Sequence, residues 1–360
     1  MIDSAKALAC AAIVLHHLSF YGPMPELVRQ VAPGLIAGLV EYARMAVQVF
    51  LVLGGYLAAA SLAPQGVARC ADPLAQLGQR FMRLFVPYAV ALVLVMAVSA
   101  AVRPWWDDPA VPADPDMAQL LAHALLLQGV LGEESLSAGI WYVAIDLQLY
   151  ALTLLLFAAL RRWAVPAWRV PLGQVLVLLL VAASLLLFNR DARWDDWALY
   201  FFGTYGLGMM ACWAVRAEPA QARRWLAVMA LLLLAALLLD WRARIALAGV
   251  TALALVLLLR WPALQAWQGW PGLSWLGQVS YSVFLLHFAL CLLVNALLQQ
   301  FWPGSVPAAL LGMVAGFVLS LAAGGWLYRR VECHLPTWRT ALRWQAGLVG
   351  AGLMLATVLR

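Results

Sequence analysis

The chain has 360 residues, of which 65% are apolar and only 11% are charged, with a formal net charge of +6. Soluble domains average about 45–50% apolar and about 25% charged residues, so this composition excludes an ordinary water-soluble protein and predicts a surface that lies mostly in lipid. The basic residues lie mainly between apolar segments, which favours membrane orientation over nucleic-acid binding. The five cysteines are scattered and form no CxxC pair, so neither a disulfide framework nor a metal site is predicted.

A bilayer-spanning helix needs about 20 apolar residues. The pattern predicts an all-α, polytopic transmembrane helical bundle of about ten helices. A shorter segment, 118–131, is expected to be interfacial or re-entrant, and 346–359 to be either an eleventh span or a helix on the membrane surface. The predicted spans are 4–20, 36–62, 84–102, 139–160, 173–189, 197–215, 225–240, 243–260, 275–299 and 306–328.

Charge asymmetry predicts how the bundle is oriented. With a cytoplasmic N-terminus and ten alternating spans, 15 cationic residues fall inside and 7 outside, and Arg360 is left unassigned. Cytoplasmic loops are generally enriched in Lys and Arg, so the N-terminus is predicted to be cytoplasmic. Many of the 18 tryptophans lie near predicted span ends. This placement is typical of an interfacial belt, and the alternative is the lining of a groove that admits glycans.

The first span carries ionisable residues, which are costly within a membrane and are therefore functional candidates. Lys6 and His17 are eleven residues apart, almost a whole number of helical turns, and Asp3 precedes Lys6 by one turn on the same face. His16 points about 100° away. The alternatives are that Lys6 extends its amine toward the headgroups and that His17 is a hydrogen-bonded structural residue.

Ionisable residues also occur in later spans. His287 lies about 18 Å along the ninth span and His17 about 20 Å along the first, so both are expected to face one cavity. A helix–helix hydrogen bond is the alternative for His287. Asp146 is the single carboxylate within the fourth span.

Arg80 and Arg83 share a helical face at the cytoplasmic end of the third span. Guanidinium groups bind phosphates well, so a nucleotide-like ligand is one interpretation of this pair. Simple anchoring of the span on its cytoplasmic side is the other.

Several motifs in chain order resemble the membrane-bound acyltransferase-3 family of bacterial O-acyltransferases, which act on glycans. The resemblance covers about residues 3–338, and it departs from the family pattern at Lys6, where arginine is common, and at Gly54, where serine is usual. The matching segments are Asp3 to His17, Gln48 to Leu57, Arg80 to Tyr88, Ile140 to Tyr150, Tyr200 to Met209, Leu276 to Phe288, and Val331 to Pro336.

This resemblance implies a membrane acyltransferase domain over 1–338 and a tail over 339–360, in a bacterial plasma (inner) membrane. It implies transfer of an acyl group, expected to be acetyl, from cytoplasmic acetyl-CoA or another acyl-CoA to a hydroxyl of an extracytoplasmic glycan or glycolipid, with no tightly bound cofactor. His17 is expected to be the general base, supported by Lys6 and Asp3, and Arg80 and Arg83 are expected to hold the phosphates of the donor. The remaining cavity-lining positions are expected to be His287, Ser280, Tyr281, Tyr150 and Asp146.

Two other functions remain open from the residues alone. Intramembrane Lys, Asp and His side chains also suit a proton-coupled transporter or a flippase of a lipid-linked glycan. However, the sequence lacks the paired, broken helices that are typical of such carriers. A haem or quinone protein with His17 and His287 as axial ligands is the third hypothesis.

Overall fold

The computed structural model describes residues 1–66, 69, 72–261 and 269–358, and this part of the chain is helical without any β-strand. Short 3₁₀ turns and one π-helical turn, Tyr328–Glu332, supplement the α-helices. The α-helices are α1 (Ile2–Leu18), α2 (Pro23–Arg29), α3 (Pro33–Tyr42), α4 (Val47–Leu62), α5 (Pro73–Val102), α6 (Met117–Ala124), α7 (Trp141–Trp163), α8 (Arg169–Leu186), α9 (Ala198–Arg216), α10 (Pro219–Leu239), α11 (Ala243–Arg260), α12 (Pro271–Phe301), α13 (Val306–Leu327) and α14 (Trp338–Val358).

Within the described ranges, nine helical segments are long and apolar enough to cross a membrane. The first predicted span, 4–20, corresponds to α1, which joins α2 at a bend of 91° and raises the number to ten if the bent pair counts as one span. The expected all-α, polytopic architecture is therefore confirmed, and the protein is a multi-pass membrane protein. The cytoplasmic position of the N-terminus stays a prediction.

The chain forms two compact units. The first comprises Met1–Ile2, Val47–Arg80 and Ile145–Gly269, and the second comprises Asp3–Ala46, Phe81–Ala144 and Trp270–Arg360. Residues 359–360 at the end of the predicted tail lie outside the described residues.

In the first unit, α4 and α9 pack with their backbones in close approach. A Cβ atom on Gly55 would lie 1.8 Å from the carbonyl oxygen of Tyr205, and a Cβ on Gly208 would lie 1.9 Å from that of Val52. Small residues at a helix interface permit this approach, because apolar burial alone drives little association between helices in lipid. A buried hydrogen bond from Thr204 to Gln48 also joins the two helices. Almost every residue of α9 is buried, so this helix lies in the interior of the unit.

In the second unit, a sharp corner joins α1 to α2. Gly22 has a φ of 77°, a conformation that side-chain-bearing residues adopt only at a cost. A Cβ on Gly22 would lie 2.5 Å from Oδ1 of Asn295, and this same oxygen accepts a hydrogen bond from the Met24 backbone N–H at 3.0 Å. The buried Asn295 on α12 therefore fixes the corner that ends α1.

The two segments with open interpretations pack on each other in the second unit. The segment predicted at 118–131 contains the eight-residue α6, too short to span a bilayer. Gln345 on α14 donates a hydrogen bond to the Ala124 carbonyl at the end of α6. Among the described residues, α14 is not one of the helices that meet the length and hydropathy requirements for a span.

Candidate active site

Two buried histidines from α1 and α12 lie side by side in the second unit. The ring centroids of His17 and His287 are 4.7 Å apart, and the residues are 8% and 1% exposed. The two side chains therefore meet, as their depths along the helices indicated. The separation leaves no room for a porphyrin between the rings, so the haem hypothesis does not fit this arrangement.

Hydrogen bonds to the backbone determine which ring nitrogens carry hydrogen. Nδ1 of His17 lies 2.9 Å from the Ile13 carbonyl oxygen, and Nδ1 of His287 lies 2.6 Å from the Phe284 carbonyl oxygen. A carbonyl oxygen can only accept, so each Nδ1 donates and each neutral ring keeps its lone pair on Nε2. The buried Nε2 of His287 has no hydrogen-bond partner within the described part of the chain. Two imidazoles that can accept a proton at Nε2 are thus placed together.

Aromatic rings and a glycine hold the two imidazoles in place. Tyr21 stacks on His17 with ring centroids 5.6 Å apart, and Phe284 lies 5.8 Å from the ring of His287. Gly139 has a φ of 83°, and a Cβ there would lie 3.2 Å from the Phe284 ring and 3.9 Å from Cε1 of His17. The loop before α7 therefore approaches the histidines closely because residue 139 has no side chain.

Two further histidines of the second unit, His16 and His123, have structural partners. His16 lies on another face of α1, and its Nδ1 is 3.2 Å from the Leu39 carbonyl oxygen. His123 on α6 donates from Nδ1 to the Gln119 carbonyl at 2.7 Å and accepts at Nε2 from the Leu136 backbone N–H. Burial lowers the pKa of His123 to about 4. Nδ1 thus fixes the ring against α6 itself, and Nε2 holds the loop after α6.

A charged cluster lies at the N-terminal end of α1. Lys6 and Asp3 form an ion pair at 3.2 Å, as their spacing predicts. Glu332, at the end of the π-helical turn, accepts a 2.6 Å hydrogen bond from the Ser282 hydroxyl. Arg83 and Lys6 both interact electrostatically with Glu332. Lys6 therefore lies among carboxylates at this end of α1, and its catalytic role stays a prediction.

The hydroxyl groups of Ser280 and Tyr281 bond to the backbone close to this cluster. Ser280 donates to the Gly277 carbonyl at 2.9 Å, and Tyr281 donates to the Leu84 carbonyl at 2.8 Å. The second bond joins α12 to α5 one residue after Arg83, so Tyr281 helps to place that arginine. Their expected role as cavity-lining residues stays a prediction.

The remaining candidates form a separate group in the first unit. Nη2 of Arg80 lies 2.5 Å from Oδ2 of Asp146, and the guanidinium lies 5.3 Å from the centre of the Tyr150 ring. The Asp146 side chain is 8% exposed and that of Arg80 is 36% exposed. Most of the charge of Arg80 is thus compensated by a buried carboxylate, an arrangement that the sequence did not indicate.

The acyltransferase-3 family model, described as an acyltransferase domain, matches residues 1–329. The chain belongs to the acyltransferase-3 family. Comparisons with curated proteins and with solved structures found no match. This protein is therefore a membrane acyltransferase, which transfers groups other than aminoacyl groups from an acyl donor to an acceptor.

Sequence reasoning missed Glu332 as a candidate site residue of this acyltransferase. Glu332 is the only acidic residue after Asp240, and it follows the arginine-rich end of the last predicted span. A single carboxylate at the end of a predicted span indicates a functional candidate, because a carboxylate at the edge of a membrane needs a nearby partner. The missing information was spatial, since Lys6 is far from Glu332 in the sequence.

Proposed function

We propose that this membrane acyltransferase moves an acyl group, expected to be acetyl, from a cytoplasmic acyl-CoA to a hydroxyl of an extracytoplasmic glycan or glycolipid. We place it in a bacterial inner membrane. The observation that carries the proposal is the pair of buried imidazoles, each with a lone pair at Nε2. Neutral imidazole is the side chain best suited to remove a proton from an alcohol near neutral pH.

In the proposed reaction, Nε2 of His17 accepts the proton of the acceptor hydroxyl while the hydroxyl oxygen attacks the carbonyl carbon of the thioester. An oxygen–carbon bond forms, the carbon–sulfur bond breaks, and the proton passes to the departing sulfur to give an ester and free CoA. His287 keeps its ring beside His17 and offers a second nitrogen on which the proton can rest. Tyr21 and Phe284 surround the rings and limit access of water to the thioester.

Two features of α1 fit the shape of an acyl-CoA donor. The charged cluster at Lys6 and the histidine at position 17 are separated by eleven residues, or about 16 Å along the helix axis. A donor with phosphates at one end and a thioester at the other must join them by a long, thin linker. The pantetheine arm of CoA is a linker of this kind.

Positive charge near Arg83 on α5 supports an anionic donor. Arg83 is exposed, and its neighbours on α5 pack against Val331 of the π-helical turn and Ala341 of α14, two segments that carry further arginines. These cations outnumber the carboxylates Asp3 and Glu332, so phosphate groups would meet a net positive surface. They are Lys6, Arg83, Arg329, Arg330, Arg339 and Arg343.

The two arginines of the family motif take different roles in this proposal. Arg83 is the phosphate-binding residue because its side chain is exposed. Arg80 is ion-paired with Asp146, so we assign it to the positioning of α5 against α7 within the first unit. A donor phosphate would have to compete with a 2.5 Å ion pair in order to bind Arg80.

The assignment of a glycan as the acceptor rests on the family likeness and on the tryptophans near the span ends, because indole rings also stack on sugars. A transporter or flippase for a lipid-linked glycan is the alternative. The two functions can be distinguished by one measurement, because a carrier moves its substrate without forming an ester, whereas an acyltransferase forms one.

The proposal is tested with purified full-length protein in lipid nanodiscs and acetyl-CoA labelled in the acetyl group. Envelope glycans from the source organism supply the acceptor, and both release of free CoA and transfer of label are measured. His17→Gln is expected to lower the rate at least about 100-fold, as for loss of a general base. The matched control is His16→Gln, which changes the neighbouring histidine on another face and is expected to stay within a few-fold.

Full activity of His17→Gln would overturn the assignment of the base. Equal losses in both histidine variants would mean that α1 tolerates neither change and would remove the support for His17. Glycan flux without transfer of label would favour the carrier. Arg83→Gln is expected to raise the KM for acetyl-CoA more than it lowers kcat, because it removes binding and not chemistry.

A further inference from the structure

A groove of about 480 Å³ runs between α10 and α11 in the first unit. Its walls are apolar, with Ala222 and Leu226 on α10 and Val256 and Leu257 on α11. Two arginines, Arg223 and Arg260, line the groove at the first turns of α10 and the last turn of α11. The groove is thus apolar along its length and cationic at one end.

The groove opens on helix surfaces that face away from the protein. In the most apolar 18-residue stretch of each helix, only 22% of α10 and 33% of α11 is buried in the protein. Most of the surface of both helices is therefore available to lipid. Exposed leucines continue along α10 beyond the groove, including Leu231, Leu234 and Leu238. A ligand with long apolar chains would therefore find apolar surface both within the groove and beyond it.

The cationic end is rigidly constructed. Nη1 of Arg260 donates to the carbonyl oxygens of Ala214, Val215 and Ala217, which end α9. These neutral acceptors hold the guanidinium in position without cancelling its charge. Arg223 is exposed one residue beyond the buried Ala222, where its side chain reaches the same end of the groove.

Charge complementarity identifies the occupant. Arg223 and Arg260 make this end of the groove cationic, and Glu218 is the only acidic residue in the stretch from the end of α9 through α10. Basic pockets between transmembrane helices recognise anionic lipid headgroups. A nucleotide such as CoA would leave much of its polar surface against alkyl side chains that cannot form hydrogen bonds.

We propose that the groove between α10 and α11 binds an anionic glycerophospholipid, with its phosphate at Arg223 and Arg260 and an acyl chain along Leu226 and Val256. The site lies entirely within the first unit and contains none of the residues assigned to catalysis. The bound lipid fills a gap between two helices that otherwise contact each other only partly.

The test uses the full-length protein in neutral detergent with phosphatidylglycerol or phosphatidylcholine added, and native mass spectrometry to measure the lipid retained. The wild-type protein is expected to retain phosphatidylglycerol in preference to phosphatidylcholine. Arg223→Gln is expected to weaken retention about fivefold, the effect of one cation at a membrane surface. Arg224→Gln is the matched control, because it removes the same charge from an exposed neighbour that does not line the groove.

A second variant separates the apolar groove from its charge. Leu226→Trp fills the groove and keeps every arginine, so it is expected to lower retention of phosphatidylglycerol as well. Equal retention of both lipids by the wild-type protein would overturn the proposal, as would equal losses in the Arg223 and Arg224 variants. Displacement of phosphatidylglycerol by added CoA would assign the groove to the donor and would also overturn it.

Discussion

Replacement of Arg80 by leucine leaves the carboxylate of Asp146 without its partner inside the first unit. The two charges are 2.5 Å apart, which at an effective dielectric constant of about 20 corresponds to a gross attraction of about 7 kcal/mol. Desolvation offsets much of this attraction. Removal of one partner of a buried pair typically costs about 3–5 kcal/mol, and we expect Arg80→Leu to lie in this range.

The two partners are expected to respond unequally because their exposure differs. Asp146 is 8% exposed and cannot reach water after loss of Arg80, whereas Arg80 is 36% exposed and can turn toward water after loss of Asp146. We therefore expect Asp146→Asn to cost only about 1–2 kcal/mol, because solvent screens the remaining charge. In the double variant no buried charge is left unpaired, so it is expected to recover about 2–3 kcal/mol relative to Arg80→Leu.

The measurement is the free energy of unfolding from reversible titration with sodium dodecyl sulfate in mixed micelles, followed by tryptophan fluorescence. Arg162→Leu serves as the control, because Arg162 is an exposed arginine at the end of α7 and its loss is expected to cost no more than about 0.5 kcal/mol. The reasoning fails if Arg80→Leu is as stable as that control. It also fails if the double variant is no more stable than Arg80→Leu.

Three further predictions concern single positions. Gly139→Ala is expected to lower acyltransferase activity, because the new methyl group meets an aromatic ring at 3.2 Å in addition to the backbone cost of about 1–2 kcal/mol at positive φ. Gly132→Ala carries the same backbone cost, but a Cβ there meets no atom of the described residues within 4 Å, so this variant should keep its activity. In a thermal unfolding assay, Gly55→Ala should destabilise the fold by about 3 kcal/mol or more, whereas Gly54→Ala, whose Cβ would meet its nearest atom at 3.4 Å, should be tolerated. Below pH 6.5 His123 gains a proton in the unfolded state, whereas in the folded state it stays neutral down to about pH 4. The folded state should therefore lose about 3 kcal/mol of stability as the pH falls over that interval. Hydrogen exchange of the loop after α6 measures this loss.

Each of these predictions has a clear contradictory result. Equal activity of the Gly139 and Gly132 variants would show that the loop does not constrain the histidines. Equal melting temperatures for the Gly55 and Gly54 variants would contradict the close approach of α4 and α9. Replacement of His123 by phenylalanine should abolish the acid sensitivity of the loop. Persistence of that sensitivity would assign it to another group.

Much of the architecture was readable from the sequence because lipid imposes a simple rule. Every backbone polar group inside a bilayer must be paired locally, so long apolar segments form helices whatever their neighbours are. The ten predicted spans correspond to observed helices, including the bent pair of α1 and α2. The Asp3–Lys6 pair was likewise predictable, since helix geometry brings residues three apart together.

The partners of the ionisable side chains were decided by tertiary structure. Arg80 pairs with Asp146 across 66 positions of the sequence, and Glu332, from the opposite end of the chain, lies within electrostatic range of Lys6. Helical periodicity assigns a face to each residue but does not say which helix that face meets, because apolar surfaces in lipid pack with many partners at similar cost. The sequence therefore determined the helices and their ionisable residues, whereas only the packing of the helices decided which charges neutralise each other and which imidazoles stand together.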